Sequence, residues 1–344
     1  MSRTVLAIAA VATAAVLALI GWRIDLRALL AGYLVLWWFV TGALLGGLAN
    51  VWLHQLTGGD WGEVIRTPLL RAARWLPLAG LLFLPVLAGM HLLYPWAGAE
   101  ALAPDTAFRR LWLSPTFFIV RSLAYLLLWN ALAWLELRAR HRSASRAAVC
   151  LLAFVFSSGL ASIDWLMSLR PEWYSSVFGW LTGTGQMLSG LALAVLLIDR
   201  EAARERLPDF GNLLMMYVLT WAYLAYVQFL IIWSADLPRE ISWYLLRATP
   251  GWKAVAWTLA VVHFAGPLLI LLSRHAKQAP KMMGGLAALL LAVHLLDCWW
   301  LVLPSVTGLT DHWTWLAPLP VLAGVLLAWL AWRGAATKRR EAHA

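Results

Sequence analysis

The stretch GGLAALLLAVHLLDCWWLVL, residues 284–303, decides the fold class. His294 and Asp297 are its only imidazole or carboxylate side chains, and all the others are apolar, aromatic or small. An α-helix needs about 20 residues to cross the hydrocarbon core of a bilayer, and inside lipid it satisfies its own backbone polar groups. The stretch therefore predicts a transmembrane helix.

Similar apolar runs recur along the whole chain. The linkers between them are short and hold most of the Pro, Gly and charge, which leaves no room for a folded soluble domain. The sequence predicts an all-α integral membrane protein, a single polytopic domain over residues 1–344. We expect about ten transmembrane helices, at 4–21, 28–53, 75–94, 113–137, 147–169, 176–198, 211–234, 252–273, 284–303 and 315–333.

Composition excludes several other classes. Hydrophobic residues make up 62% and charged residues 13% of the chain, whereas soluble domains carry about 25% charged residues. Such a chain has too much apolar surface to stay disordered. Two cysteines cannot form a disulfide-rich scaffold. The net charge of +10 is not accompanied by any nucleic-acid recognition motif, so no nucleic-acid partner is expected.

The basic residues predict an orientation instead. If the spans alternate, 18 Lys and Arg lie on the side that holds both termini and 8 lie on the other side. Cytoplasmic loops carry the excess of Lys and Arg in membrane proteins. We therefore expect a cytoplasmic C-terminus. The first span, 4–21, is read as a retained helix rather than a cleaved signal peptide, because no clear cleavage site precedes Trp22.

Ionisable and amide side chains inside the spans are the candidate functional residues. They are costly in lipid and usually face a bundle interior or a water-filled path. With the expected orientation, four of them fall at a similar depth near the outer face. The six candidates are Arg121, Asp164, Gln228, His263, His294 and Asp297.

Several candidates have a structural alternative. Arg121 can form a purely structural ion pair with an aspartate. Gln228 continues a stripe with Tyr217 and Trp221, a pattern that is more often helix packing than a cofactor groove. His294 and Asp297 share a helix face and are the stronger functional pair, because together they can pass a proton.

No cofactor motif occurs in the sequence. It has no paired histidines spaced for stacked haems, no C-x-x-C-H motif, no cysteine cluster and no glycine-rich nucleotide motif. We therefore expect the chain itself to carry no cofactor.

The most specific stretch is SIDWLMSLRPEWYSSVFG, residues 162–179. It resembles a signature of the NrfD-like membrane subunits of bacterial alternative complex III, a quinol:electron-acceptor oxidoreductase, and most of all the second of its two NrfD-like subunits. Further similarity runs through LPDFGNLL at 207–214, TWAYLAYVQFLIIW at 220–233 and HFAGP at 263–267.

The resemblance implies two four-helix bundles flanked by an extra helix at each end. It implies a subunit of a respiratory quinol:cytochrome c, or other acceptor, oxidoreductase in the bacterial inner membrane. Quinol is then the expected substrate, handled with its protons near the outer face. The implied partners are the other NrfD-like subunit, an iron–sulfur protein and c-type cytochrome subunits. Asp164, Gln228 and His263 carry over as family positions, whereas Arg121, His294 and Asp297 come from the residues alone.

Two other functions remain open from the sequence. A secondary transporter is one, since Pro77, Pro85 and Pro267 could break helices, although no internal repeat is evident. A structural membrane scaffold without a site of its own is the other.

Overall fold

The computed structural model describes residues 26–98 and 106–306. All regular secondary structure in this part of the chain is helical, which confirms the all-α prediction. The spans predicted at 4–21 and 315–333 lie outside the described residues.

Seven helical segments of the described chain are long and apolar enough to cross a membrane, so the chain is an all-helical membrane protein. Each overlaps one predicted span. The long helices are α1 (Leu26–Thr57), α7 (Pro115–Leu137), α8 (Ala144–Trp165), α9 (Phe178–Leu197), α10 (Leu207–Ala235), α12 with α13 (Pro250–Thr258 and Gly266–Leu272) and α15 (Pro280–Val302).

Short helices fill the connections. They are α2 (Trp61–Ala73), α3 (Leu76–Leu81), α4 (Leu84–Ala88), α5 (Met90–Leu93), α6 (Ala107–Trp112), α11 (Pro238–Leu245) and α14 (Arg274–Gln278). Single 3-10 turns add Pro95–Ala97, Met167–Leu169, Arg204–Arg206 and Leu303–Ser305.

The region 55–94 is more helical and more divided than the prediction of a linker at 55–74 followed by one span at 75–94. Residues 61–73 form the helix α2, which buries Ile65 and Leu69 and leaves Glu63 and Arg71 exposed. The predicted span at 75–94 is divided into α3, α4 and α5, because Pro77 and Pro85 each begin a new helical turn. The axis of α2 and the axis of α3–α4 are bent by 42° relative to each other. The described chain has an eighth membrane span only if this bent pair crosses the membrane as one unit.

The tightest helix contact joins α1 and α9. A Cβ atom added to Gly46 would lie 1.8 Å from the carbonyl oxygen of Gln186, and one added to Gly190 would lie 2.2 Å from the backbone nitrogen of Gly47. Only glycine permits so close an approach of two backbones. Small residues commonly serve this purpose in membranes, where helices associate through packing and hydrogen bonds.

Helices α1 and α9 also link two groups of neighbours. Helix α1 contacts α3, α4, α5 and α8, and α7 packs on α8. Helix α9 contacts α10 and α15, and α10 packs on α13. We call these the first half and the second half of the molecule.

One end of the helices, the basic end, collects the loops at 58–60, 138–143 and 198–206. Arg142 pairs with Glu63 through two hydrogen bonds. Arg206 Nη2 lies 2.8 Å from Asp60 Oδ2, and Arg66 Nη1 lies 2.9 Å from the buried Glu136. These pairs join segments that are far apart in the sequence, so the loops at 138–143 and 198–206, which are rich in Arg, lie at the same end of the molecule as α2.

The opposite end, the aromatic end, collects residues 94–98, 106–114, 166–177, 236–249 and 303–306. Trp96 Nε1 donates to Ser168 O at 3.1 Å. The rings of Trp173 and Trp243 stack with centroids 4.8 Å apart. Loops from both halves therefore meet at this end.

A π-helical segment, Leu259–Ala265, separates α12 from α13. Gly266 N–H bonds to Val261 O, the five-residue spacing of a π-helix. Pro267 explains the irregularity, because its ring clashes with the carbonyl four residues earlier in a regular α-helix. The segment turns His263 into the buried interior. Such bulges are frequent at functional sites.

Candidate functional site

A cleft of about 700 Å³ opens in the second half, between α10, the π-helical segment and α15. Most of its lining is apolar or aromatic. The lining residues are Leu181, Leu219, Trp221, Ala222, Tyr223, Ala225, Tyr226, Gln228, Phe229, Tyr244, Arg247, Lys253, Ala256, Leu259, Ala260, Phe264, Asp297 and Trp300.

The cleft extends from the aromatic end toward the middle of α10. Its lining positions on α10 run from Leu219 to Phe229, about 15 Å at the helical rise. Tyr223 and Tyr226 at its rim are 64% and 60% exposed on the outer surface of the helices. The cleft is therefore open sideways, on a surface that would face lipid.

Asp297 is the buried acid of the cleft. Its Oδ2 accepts a hydrogen bond from Trp221 Nε1 at 3.1 Å and lies 3.5 Å from His294 Nδ1. The carboxylate is only 3% exposed, yet it lines the cleft. A buried carboxylate with a ligand-sized space beside it is a candidate proton acceptor or ligand anchor.

Two histidines lie behind this wall of the cleft. The rings of His263 and His294 stack with centroids 5.8 Å apart, and His263 also meets Trp221 edge-on at 4.1 Å. Cys298 Sγ lies 3.8 Å from His294 Nε2. Neither ring nitrogen of His263 has a hydrogen-bond partner among the described residues. Buried polar atoms without a partner are uncommon and call for a water, a ligand or a proton to explain them.

Gln228 is the second polar group that the prediction placed here. Its Oε1 accepts from Ser175 Oγ at 3.0 Å, so a residue of the 162–179 stretch contacts a side chain that lines the cleft. Tyr244, in the short helix α11, lines the same part of the cleft. Burial raises the pKa of Tyr244 to about 12, so its hydroxyl stays protonated.

Arg247 is a site residue that the sequence did not single out, because it appeared only as a loop charge. Its guanidinium donates to the backbone oxygens of Trp243, Trp300 and Leu301 and to Ser305 Oγ, at 2.8 to 3.1 Å. The Cζ atom of the guanidinium also lies 3.3 Å from the centroid of the Trp243 ring. Burial lowers the pKa of Arg247 well below its usual value. Only the packing of α11 on α15 creates this environment.

Arg121 and Asp164 form a separate cluster in the first half. Arg121 Nε and Nη2 donate to the two Asp164 oxygens at 2.8 and 2.9 Å, and Tyr125 OH donates to Oδ2 at 2.8 Å. Nη2 also donates to Trp112 O at 2.9 Å, and the guanidinium lies 4.1 Å from the Trp112 ring.

The structure thus divides the six predicted residues between two places. Gln228 and Asp297 line the cleft, with His294 and His263 directly behind Asp297. Neither Arg121 nor Asp164 lines it. Similar depth in the membrane placed Arg121, Asp164, Gln228 and Asp297 together in the prediction, but depth does not tell which half of the molecule a helix belongs to.

A metal site is not evident in residues 26–98 and 106–306. No three His, Cys, Asp or Glu side chains of that part are grouped so that they could hold an ion. The expectation that the chain carries no cofactor of its own remains a prediction.

Comparison with known proteins adds no family assignment. No protein-family model matches the chain, and no curated protein is significantly similar to it.

Proposed function

We propose that the chain is an NrfD-like membrane subunit of a bacterial quinol oxidoreductase and that the cleft of the second half binds the quinone. The observation that supports this proposal is the open, aromatic-lined cleft with Asp297 and Gln228 in its walls. A quinone site needs an apolar slot for a flat ring and a polar partner for each ring oxygen. The carboxylate and the amide supply one partner each.

The proposal includes an arrangement in the membrane. Ten spans would form two four-helix bundles with a flanking helix at each end; the contacts within the first and the second half support this grouping. The basic end would face the cytoplasm, together with the C-terminus, because it collects the loops rich in Arg. The cleft would then lie toward the outer face of the bacterial inner membrane.

In this role the chain would work inside a complex and carry no cofactor of its own. Electrons from quinol would pass to an iron–sulfur protein and c-type cytochromes on other chains, beside the second NrfD-like subunit. Protons would leave through Asp297 and the histidines behind it.

A cleft-filling variant tests the binding site directly. Ala256 lines the cleft, whereas Ala254 on the same helix is exposed and lies outside it. In the full chain reconstituted in nanodiscs, Ala256→Phe should weaken the binding of decylubiquinone and menadione at least about tenfold, or ~1.4 kcal/mol. Ala254→Phe should leave it unchanged. Equal binding by both variants would place the quinone elsewhere.

Purification from native membranes separates the proposed role from its alternatives. The oxidoreductase subunit should be isolated with iron–sulfur and haem proteins. A secondary transporter should be isolated alone. A scaffold should be isolated with partners but show no quinone binding that responds to Ala256→Phe.

A further inference from the structure

Trp221 occupies the border between the cleft and the buried histidines. Its indole lines the cleft on one side and meets the His263 ring at 4.1 Å. Its Nε1 donates to Asp297 Oδ2 at 3.1 Å. The side chain is 6% exposed, so it is held within the packed wall.

The two oxygens of Asp297 consequently have different surroundings. Oδ2 accepts from Trp221 and faces His294 Nδ1 at 3.5 Å. Oδ1 accepts no hydrogen bond from any residue that the structure describes, and the carboxylate borders the cleft. The indole N–H therefore orients the carboxylate so that one oxygen is left for a ligand.

A carboxylate oxygen in this position selects for a hydrogen-bond donor. An ionised Asp only accepts hydrogen bonds. The hydroxyl of a hydroquinone can donate to it, whereas the carbonyl oxygen of the oxidised quinone cannot. Sites built to bond a hydroxyl discriminate strongly against a ligand that lacks it, because the buried polar group then stays unpaired.

We infer that Trp221 is a positioning residue that holds Asp297 for a ligand hydroxyl, so that the cleft prefers the reduced, hydroquinone form. This inference depends on the proposed quinone site and adds its redox preference. No covalent or electron-transfer step is needed for it, since only one hydrogen bond to the ligand forms.

Several titratable and cationic side chains lie near Asp297 or share its cleft. They are His294 and Cys298 on its own helix, His263 on the π-helical segment, and Arg247 and Lys253 along the cleft. No second carboxylate lines the cleft in the part of the chain that the structure describes.

The test compares two tryptophans that undergo the same change. Trp221→Phe removes only the indole N–H and keeps most of the ring. Trp129→Phe is the matched control, because Trp129 is also buried and donates to Ser157 Oγ at 2.9 Å in the first half. Both variants and the wild type are reconstituted as full chains in nanodiscs. Binding of decylubiquinol and decylubiquinone is measured for each under anaerobic conditions.

The wild type should bind decylubiquinol at least tenfold more tightly than decylubiquinone. Trp221→Phe should lose about tenfold in quinol affinity, since a hydrogen bond to a charged acceptor is removed, and should change quinone affinity less than twofold. Trp129→Phe should change neither. A purely structural role of Trp221 would weaken both forms alike.

A ligand-free measurement gives a second, independent readout. The infrared carboxylate band that disappears in Asp297→Asn should shift in Trp221→Phe and stay in place in Trp129→Phe. An unshifted band, or equal wild-type affinity for both redox forms, overturns the inference while the proposed quinone site stands. Failure of both forms to bind the wild type removes the proposed site and the inference with it.

Discussion

The two halves of the molecule each bury one aspartate toward the aromatic end, and they treat it in opposite ways. Asp164 in α8 accepts two hydrogen bonds from Arg121 and one from Tyr125. Asp297 in α15 accepts one from the neutral Trp221 and has a histidine at 3.5 Å. Asp164 is enclosed by its partners, whereas Asp297 borders an open cleft.

This difference shows how a structural charged side chain can be distinguished from a functional one in a membrane protein. A buried carboxylate saturated by a bidentate arginine has little capacity left for a ligand. A carboxylate with one weakly paired oxygen and free space beside it keeps that capacity. Depth and residue type are the same in both cases, so only the partners distinguish them.

The largest effect should come from breaking the Arg121–Asp164 pair. Asp164→Leu leaves a buried guanidinium without its counter-ion and should lower the free energy of unfolding by about 3–5 kcal/mol. The double variant Arg121→Met/Asp164→Leu should recover most of this loss. Unfolding in mixed micelles, followed by circular dichroism, measures both. If the double variant is as unstable as the single one, then the contacts of Arg121 with Trp112 stabilise the fold more than the ion pair with Asp164 does.

Asp297 should respond in the opposite way. Asp297→Asn keeps an acceptor for Trp221 and loses only the charge that faces His294 at 3.5 Å, so stability should change by less than about 1 kcal/mol. Affinity for decylubiquinol should fall about tenfold, because the amide is a weaker acceptor. If Asp297→Asn unfolds the chain as severely as Asp164→Leu, the two halves do not differ as described.

Two glycines of α9 sharpen the comparison within the second half. A Cβ at Gly185 would lie 2.3 Å from His294 Cε1, whereas a Cβ at Gly183 meets no atom within 4 Å. Gly185→Ala should destabilise by about 1–3 kcal/mol through overpacking and should weaken decylubiquinol binding by moving His294.

Gly183→Ala is the control, and it should be neutral or stabilising by up to about 1 kcal/mol, since alanine favours the helix. Thermal unfolding measures the stability of both glycine variants, and titration with decylubiquinol measures their ligand affinity. Equal effects at the two positions would contradict the tight packing of His294 on α9.

The smallest effect should come from the exposed pair at the basic end. Arg142 and Glu63 are both 48% exposed, although they are joined by two hydrogen bonds. Glu63→Gln should therefore cost no more than about 0.5 kcal/mol and less in high salt. This variant sets the baseline for a solvated ion pair. A loss comparable with that of Asp164→Leu would mean that burial is not what separates the pairs.

The sequence predicted the helical class, the position of seven long spans and the residues worth attention. These follow from the length of apolar runs and from the cost of polar groups in lipid, and both are local properties. The prediction of residues 55–74 as a linker was wrong for residues 61–73. They form the amphipathic helix α2, which buries Ile65 and Leu69 and whose charged residues obscure the helical pattern in the sequence. The sequence indicated Pro77 and Pro85 as residues that could break helices, and a new helix begins at each of them.

What each candidate residue does was decided by the tertiary structure. Asp164 and Asp297 are the same in type and expected depth, yet packing pairs Asp164 with Arg121 in one half and sets Asp297 beside a cleft in the other. The role of Trp221 and the enclosure of Arg247 have no signature in the sequence. The physical reason is that hydrogen-bond saturation depends on neighbours from distant helices, whereas the tendency to enter a membrane is already present in each segment alone.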